Sequence, residues 1–189
     1  VPFVNAVEEW QLIIVFLSIS SMLFGAIAAI GQKNLKRLIA YSSIGHMGYA
    51  LAGLCVGTNQ GIQSSVLYIS IYLFMNLGFF SCLFMLKRNN KYYESIDDLS
   101  GLSKNHPLIS LSLLIILFSL AGIPPLAGFF AKFYIFKAVL ELSMYYLAII
   151  GLLSTVIAAF YYLRIIKIMY FDSEKEKYDT DYSFGLKFT

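Results

Sequence analysis

One lysine stands where lysines are rarely tolerated. Lys132 lies inside an apolar run from Pro107 to Leu140 whose only charges are Lys132 and Lys137. It is about eight residues, roughly 12 Å of helix, from the far end of that run. A lysine at the centre of a membrane-spanning helix costs about 2.5–3.5 kcal/mol on insertion scales, and such groups mark ion pathways. Facing a polar cavity, its amine would load and release a proton. The plainer alternative is a side chain that snorkels to the outer surface. The same run reads Ser119-Leu-Ala-Gly122-Ile-Pro124-Pro125-Leu-Ala-Gly128-Phe-Phe-Ala-Lys132. Two adjacent prolines remove two backbone donors and clash with the carbonyls four residues back. Gly122 and Gly128 free the chain to adopt whatever dihedrals the break needs. Interrupted helices at membrane depth persist where they are packed in protein or line a wet cavity. A kink used only for packing is the other reading of Gly122, Pro124, Pro125 and Gly128.

Further polar side chains could extend a proton path. Ser42, His46 and Tyr49 stand at i, i+4 and i+7, which makes one polar face of a helix. His46 is a candidate relay, or a hydrogen-bonded packing residue. Tyr68, Tyr72 and Asn76 recur every four residues, a stripe equally suited to hydrogen bonding between helices. Lys137 and Glu141 have the spacing of a helix-end ion pair.

These residues need a scaffold, and composition says which kind. The 189 residues are 59% apolar and 13% charged, against about 45–50% and about 25% in soluble domains. An aromatic share of 16% and a net charge of +3 also exclude a disordered chain. No solvated basic patch points to nucleic acid. Cys55 and Cys82 lie in apolar runs, too few for a disulfide framework or a zinc site.

The windows 10–30, 38–57, 62–86, 107–131 and 142–163 contain no Asp, Glu, Lys or Arg. Each matches the roughly 20 residues that cross a bilayer core as helix. The runs lack the strict alternation of a barrel strand. The expected fold is therefore all-α, a polytopic membrane protein with five transmembrane helices, the fourth discontinuous at Gly122–Pro125. The expected bundle covers 1–172, with helices at about 10–31, 35–57, 62–86, 107–140 and 142–170. A polar tail over 173–189 follows.

Loop charges orient the helices. Lys33, Lys36 and Arg37 follow the first helix, Lys87, Arg88, Lys91 and Lys104 the third, and Arg164, Lys167, Lys175, Lys177 and Lys187 the fifth. The opposite side has Glu8, Glu9, the uncharged turn 57–61 and the Lys137/Glu141 pair. The positive-inside rule then puts the C-terminus in the cytoplasm or a mitochondrial matrix. Lys36 and Arg37 need no explanation beyond this rule. The chain starts at Val1 and shows no signal peptide, so a processed chain or one piece of a longer or split subunit is expected. Walker, GxGxxG and HExxH motifs are absent; any redox cofactor is expected on another chain.

Three stretches together resemble a known family. Gln32-Lys-Asn-Leu-Lys36-Arg37-Leu-Ile-Ala-Tyr41-Ser-Ser-Ile-Gly-His46-Met-Gly48-Tyr49, the broken segment Ser119–Tyr134 and Ala158-Ala159-Phe160-Tyr161-Tyr162-Leu163-Arg164 are similar to the antiporter-like membrane subunits of respiratory complex I. The resemblance covers roughly residues 10–172. It implies that the five helices match the ninth to thirteenth of that family's fourteen, and that Lys132 matches the lysine on its discontinuous twelfth helix.

By the same resemblance, NADH, FMN, iron–sulfur clusters and ubiquinone belong to partner subunits and none to this chain. The partners would be other membrane-arm subunits, including a chain supplying the helices before Val1, together with the lipid bilayer. Those helices would carry the family's other proton-handling residues, leaving an outer half-channel here. Abundant Phe, Tyr, Ile, Asn and Lys fit AT-rich coding, so the expected location is the mitochondrial inner membrane, with a bacterial inner membrane as the alternative. A multi-subunit sodium/proton antiporter and a non-conducting scaffold are the rival functions.

Overall fold

The computed structural model describes residues 7–88, 91–92 and 94–173. The tail beyond Ser173, with Lys175, Lys177 and Lys187, lies outside the described residues. Long helices dominate: α1 (Val7–Ile30), α2 (Leu35–Leu54), α3 (Asn59–Met85), α4 (Leu102–Asn105), α5 (Pro107–Ala121), α6 (Ala127–Glu141) and α7 (Tyr145–Phe171). An antiparallel pair of two-residue strands, β1 (Lys87–Arg88) and β2 (Lys91–Tyr92), and a 3₁₀ turn (Ile96–Leu99) lie between α3 and α4. The sequence does not announce these short pieces. The fold is all-α and of membrane type. The segments Trp10–Ile30, Asn59–Met85 and Tyr145–Phe171 are long and apolar enough to cross a bilayer, and Pro107–Ala121 is a shorter apolar helix.

Polar caps set the helix starts. Asn34 accepts from the Arg37 N–H at 3.0 Å to open α2, and Thr58 Oγ1 accepts from the Gly61 N–H at 3.2 Å to open α3. The Thr58 cap places the start of α3 at Asn59, ahead of the charge-free window. Gly57, with φ +69°, turns the chain after α2.

α1 and α2 pack backbone to backbone. A methyl group on Gly48 would lie 2.8 Å from the Met22 nitrogen and 2.9 Å from the Ser18 carbonyl oxygen, so only glycine permits this approach. Hydroxyls then stitch the bundle across its helices. Ser18 donates to the Gly48 carbonyl at 2.7 Å, Ser65 to Ala50 at 2.8 Å and Ser154 to Met22 at 3.1 Å. In lipid such bonds matter because apolar side chains gain little by leaving one apolar medium for another.

Two apolar clusters fill the interior. One, toward the end carrying the basic loops, contains Leu35, Leu38, Phe79, Leu83, Leu113, Leu117, Ile165 and Met169. The other, toward the opposite end, contains Met22, Cys55, Ala131, Ile135, Ala138 and Leu147. Ser42, His46, Ser154 and Lys132 are buried among these side chains. At the basic end the α1–α2 loop is clasped by the segment before the 3₁₀ turn. Lys36 Nζ pairs with Glu94 at 2.6 Å, Asn34 donates to the same carboxylate at 3.0 Å, and the Leu35 N–H donates to the Glu94 carbonyl at 2.7 Å. Lys36 thus has a partner beyond its part in membrane topology. At the other end Lys137 and Glu141 form no ion pair; Glu141 accepts from Gln60 of α3 at 3.3 Å instead. Helical spacing alone could not foresee that a neighbouring helix competes for the carboxylate.

Candidate functional site

The break between α5 and α6 is built from its own backbone. A helix ends with four carbonyls lacking intrahelical partners, here those of Phe118, Ser119, Leu120 and Ala121. Gly122 takes the left-handed conformation, φ +87°. Its N–H donates to Ser119 at 3.0 Å, and the Ile123 N–H donates to Phe118 at 3.0 Å, which is the Schellman closure. Two carbonyls remain. Lys132 Nζ, reaching back from α6, donates to Leu120 at 3.1 Å and to Ala121 at 3.2 Å.

The break and the lysine are therefore one device. The prolines and Gly122 end α5 inside the bundle, its terminal carbonyls carry partial negative charge, and the ammonium sits on them. Lys132 is only 4% exposed, so the snorkelling alternative does not describe this side chain. Gly122 leaves room for it, since a methyl group there would stand 3.1 Å from the lysine Cδ. Ser119 of α5 accepts from the Gly128 N–H in the first turn of α6 at 3.0 Å, capping the second half-helix from the first. Sequence reading placed Gly122, Pro124, Pro125 and Gly128 at the break but did not find the Ser119 cap.

Tyr49 of α2 lies beside the lysine, with Nζ 5.1 Å from the ring centroid, within the range of a cation–π contact. Its hydroxyl is directed away from that contact, to α7, meeting the Gly151 carbonyl at 3.1 Å, Ser154 at 3.2 Å and Thr155 at 2.8 Å. Tyr49 is thus an aromatic wall rather than a hydroxyl step beside Lys132. The His46 ring lies 6.2 Å from the Tyr49 ring, centroid to centroid, so the lysine and the histidine both border Tyr49.

His46 is 3% exposed and engaged on both nitrogens. Nδ1 meets the Tyr68 hydroxyl at 2.7 Å and Nε2 meets the Tyr162 hydroxyl at 3.2 Å. The Tyr162 hydroxyl also bonds the Ser42 hydroxyl. Tyr72 stacks on the His46 ring at 4.7 Å and 24°, while its hydroxyl donates to Ser43 at 2.6 Å. Ser43 donates onward to the Ile39 carbonyl at 2.8 Å, which ends that branch. Asn76 continues the α3 stripe, and its buried Oδ1 has no hydrogen-bond partner. The structure thus gathers Ser42, through Tyr162, and Tyr72 around His46, with Tyr49 between that ring and Lys132. Tyr68 was visible in its stripe; Tyr162, a direct histidine partner, stood out only as part of the stretch Ala158–Arg164 that resembles the family, not as a site residue. The described residues hold no cluster of three or more His, Cys, Asp or Glu that could bind a metal.

The chain has clear relatives. A family model described as "NADH:quinone oxidoreductase/Mrp antiporter, TM" matches residues 1–158. NADH-quinone oxidoreductase subunit N of Pelagibacter ubique is 79% identical over 187 residues, 99% of this chain and 40% of that protein. The subunit N of Parvibaculum lavamentivorans is 53% identical over 94% of this chain and 37% of its own length. A chain of respiratory complex I from Thermus thermophilus with bound NADH superposes with a TM-score of 0.82 at 25% identity, covering 96% of this chain and 38% of that one. The Mrp complex from Dietzia superposes at 0.81 with 24% identity over 92% of this chain and 32% of that one, a likeness of fold. The chain spans about two fifths of the length of the curated relatives it matches. With residues 1–158 matched, the chain belongs to the NADH:quinone oxidoreductase/Mrp antiporter transmembrane family.

Proposed function

We propose that this chain acts as part of an antiporter-like membrane-arm subunit of respiratory complex I, where Lys132 exchanges protons along a path coupled to NADH:quinone oxidoreduction. The observation that carries the proposal is Lys132 itself, buried at a helix break and held by two carbonyls at 3.1 and 3.2 Å. A buried amine has few places to put its charge, and a site that holds it through uncharged carbonyls and an aromatic ring can release its proton. His46 then serves as a connector toward Lys132 through ordered water, with Ser42, Tyr49, Tyr72 and Asn76 around it.

NADH, FMN, iron–sulfur clusters and ubiquinone belong to partner subunits in this reading, and another stretch of chain supplies the remaining helices of the subunit. All five spans cross the membrane, with the basic loops on the inner side. The bacterial relatives support a bacterial inner membrane over a mitochondrial one.

The family description also names Mrp antiporters, the basis of a second reading as a sodium/proton antiporter subunit. The 79% identity to a subunit N favours complex I. Purification in mild detergent followed by mass spectrometry separates the two. Flavin and iron–sulfur subunits in the same particle are the expected result; antiporter chains alone would overturn the proposal.

A further inference from the structure

The surroundings of His46 are more specific than packing requires. A buried imidazole needs one donor–acceptor partner for each nitrogen, and a backbone carbonyl on one side would fix a single tautomer. Here both partners are hydroxyls, Tyr68 on Nδ1 at 2.7 Å and Tyr162 on Nε2 at 3.2 Å. A hydroxyl donates or accepts by rotating its hydrogen, so either tautomer finds its hydrogen bonds satisfied without ring rotation. The ring itself is held flat by the Tyr72 stack. Tyr162 is held in turn by Ser42, one turn before His46 on the same helix, so α7 and α2 lock the Nε2 partner in place. Beyond Ser42 the interior is formed by Leu35, Leu38, Leu113, Leu117 and Ile165, with the Tyr161 ring packed against Tyr162 at 4.6 Å between centroids.

We infer that Tyr162 is a positioning residue for His46: its hydroxyl, oriented by Ser42, keeps both tautomers of the ring available so that one nitrogen can take up a proton while the other gives one up. The inference rests on the proposed proton path through Lys132 and His46, and adds to it a residue on α7. Within the step Nδ1 takes the Tyr68 hydroxyl proton as Tyr68 regains one from ordered water toward Lys132. Nε2 gives its proton to the Tyr162 oxygen as Tyr162 passes its own to Ser42, which releases one to ordered water. The ring and both tyrosines end uncharged.

The test uses the assembled membrane complex. Tyr162→Phe keeps the ring and its volume and removes only the oxygen; Ser42→Ala leaves Tyr162 but frees its hydroxyl. Ser65→Ala removes a buried hydroxyl bond to the Ala50 carbonyl away from the histidine and serves as the structural control. NADH-driven proton pumping is measured per assembled complex. Infrared difference spectra of histidine-labelled complex, with the His46 bands identified by their loss in His46→Gln, report which nitrogen is protonated.

For Tyr162→Phe the expected result is a loss of pumping by about tenfold or more and collapse of the His46 bands to one tautomer. Ser42→Ala gives a smaller loss of the same kind, and Ser65→Ala gives neither. Both tautomer signals and wild-type pumping in Tyr162→Phe would overturn the inference. So would a loss that merely follows the amount of complex and is matched by Ser65→Ala. If Tyr162→Phe does not assemble, Ser42→Ala decides by the same bands, and unchanged bands overturn it. Pumping retained in Lys132→Arg would overturn the proposed role of Lys132, whereas the His46 bands judge Tyr162 separately.

Discussion

Substituting alanine for Gly128 tests whether the helix break holds Lys132 in place. A methyl group on Gly128 would lie 2.7 Å from the Ser119 carbonyl carbon and 3.1 Å from its Oγ, with the Ser119 carbonyl oxygen closer still. Both sides of that contact are helix backbone, so neither yields as a flexible side chain would. The first turn of α6 must withdraw from the last turn of α5. Withdrawal lengthens the 3.0 Å bond from the Gly128 N–H to Ser119 and draws Lys132 off the Leu120 and Ala121 carbonyls.

Overpacking costs about 1–3 kcal/mol, and losing the serine cap costs about 1 kcal/mol more. Alanine's better helix propensity returns about 1 kcal/mol. The net is about 1–3 kcal/mol, or about a 5- to 150-fold loss in the population with the break intact. The assay is thermal inactivation of the purified complex together with pumping per assembled complex, using Gly31→Ala as control because nothing lies within 4 Å of the added methyl. Gly128→Ala should inactivate at lower temperature and pump less than Gly31→Ala. Equal behaviour of the two variants would refute the claim that α5 and α6 meet at contact distance around the lysine.

Further expectations follow from the same geometry. Ser119→Ala removes the cap on Gly128 without adding bulk and should lower stability by about 0.5–2 kcal/mol, read as a modest fall in the thermal midpoint. Tyr49→Phe keeps the ring beside Lys132 but loses the hydroxyl bonds to α7, while Tyr49→Leu also loses the cation–π contact. Pumping should fall more in the leucine variant, and equal losses would assign Tyr49 only a tie to α7. Hydrogen bonds from Lys36 and then Asn34 hold the Glu94 carboxyl below its ordinary value of 4.5. A carboxyl with a lowered folded value stabilises above its unfolded value, and that contribution disappears as pH falls through the folded one. Protection of the Leu35 and Ile96 amides, both bonded across the clasp, should therefore drop as pH falls below 4.5. In Glu94→Gln, hydrogen exchange should show weaker protection at neutral pH and no further drop in that window.

The long apolar helices and the break were legible because charge is so costly in lipid that its absence marks such helices. Likewise Pro124 and Pro125 leave no continuous helix to propose. Lys132 stood out for the same reason. Which way each helix turns was not legible. In α1, α5 and α7 apolar residues surround the whole circumference, since lipid and core accept the same side chains, and no stripe marks the buried face. The pairing of His46 with Tyr162 across 116 residues depends on that rotation, as does the capture of Glu141 by Gln60. The Schellman closure was half visible in Gly122; that its two spare carbonyls would hold the lysine required the fold of α6 against α5.

Replacing Lys132 by arginine tests the central claim most directly. Arginine keeps the charge and the donors for Leu120 and Ala121 but does not give up its proton in proteins. NADH-driven pumping is followed in inverted membrane vesicles, normalised to assembled complex. Near-complete loss of pumping with assembly preserved is the predicted result. Wild-type pumping with arginine in place would show that no proton passes through this side chain.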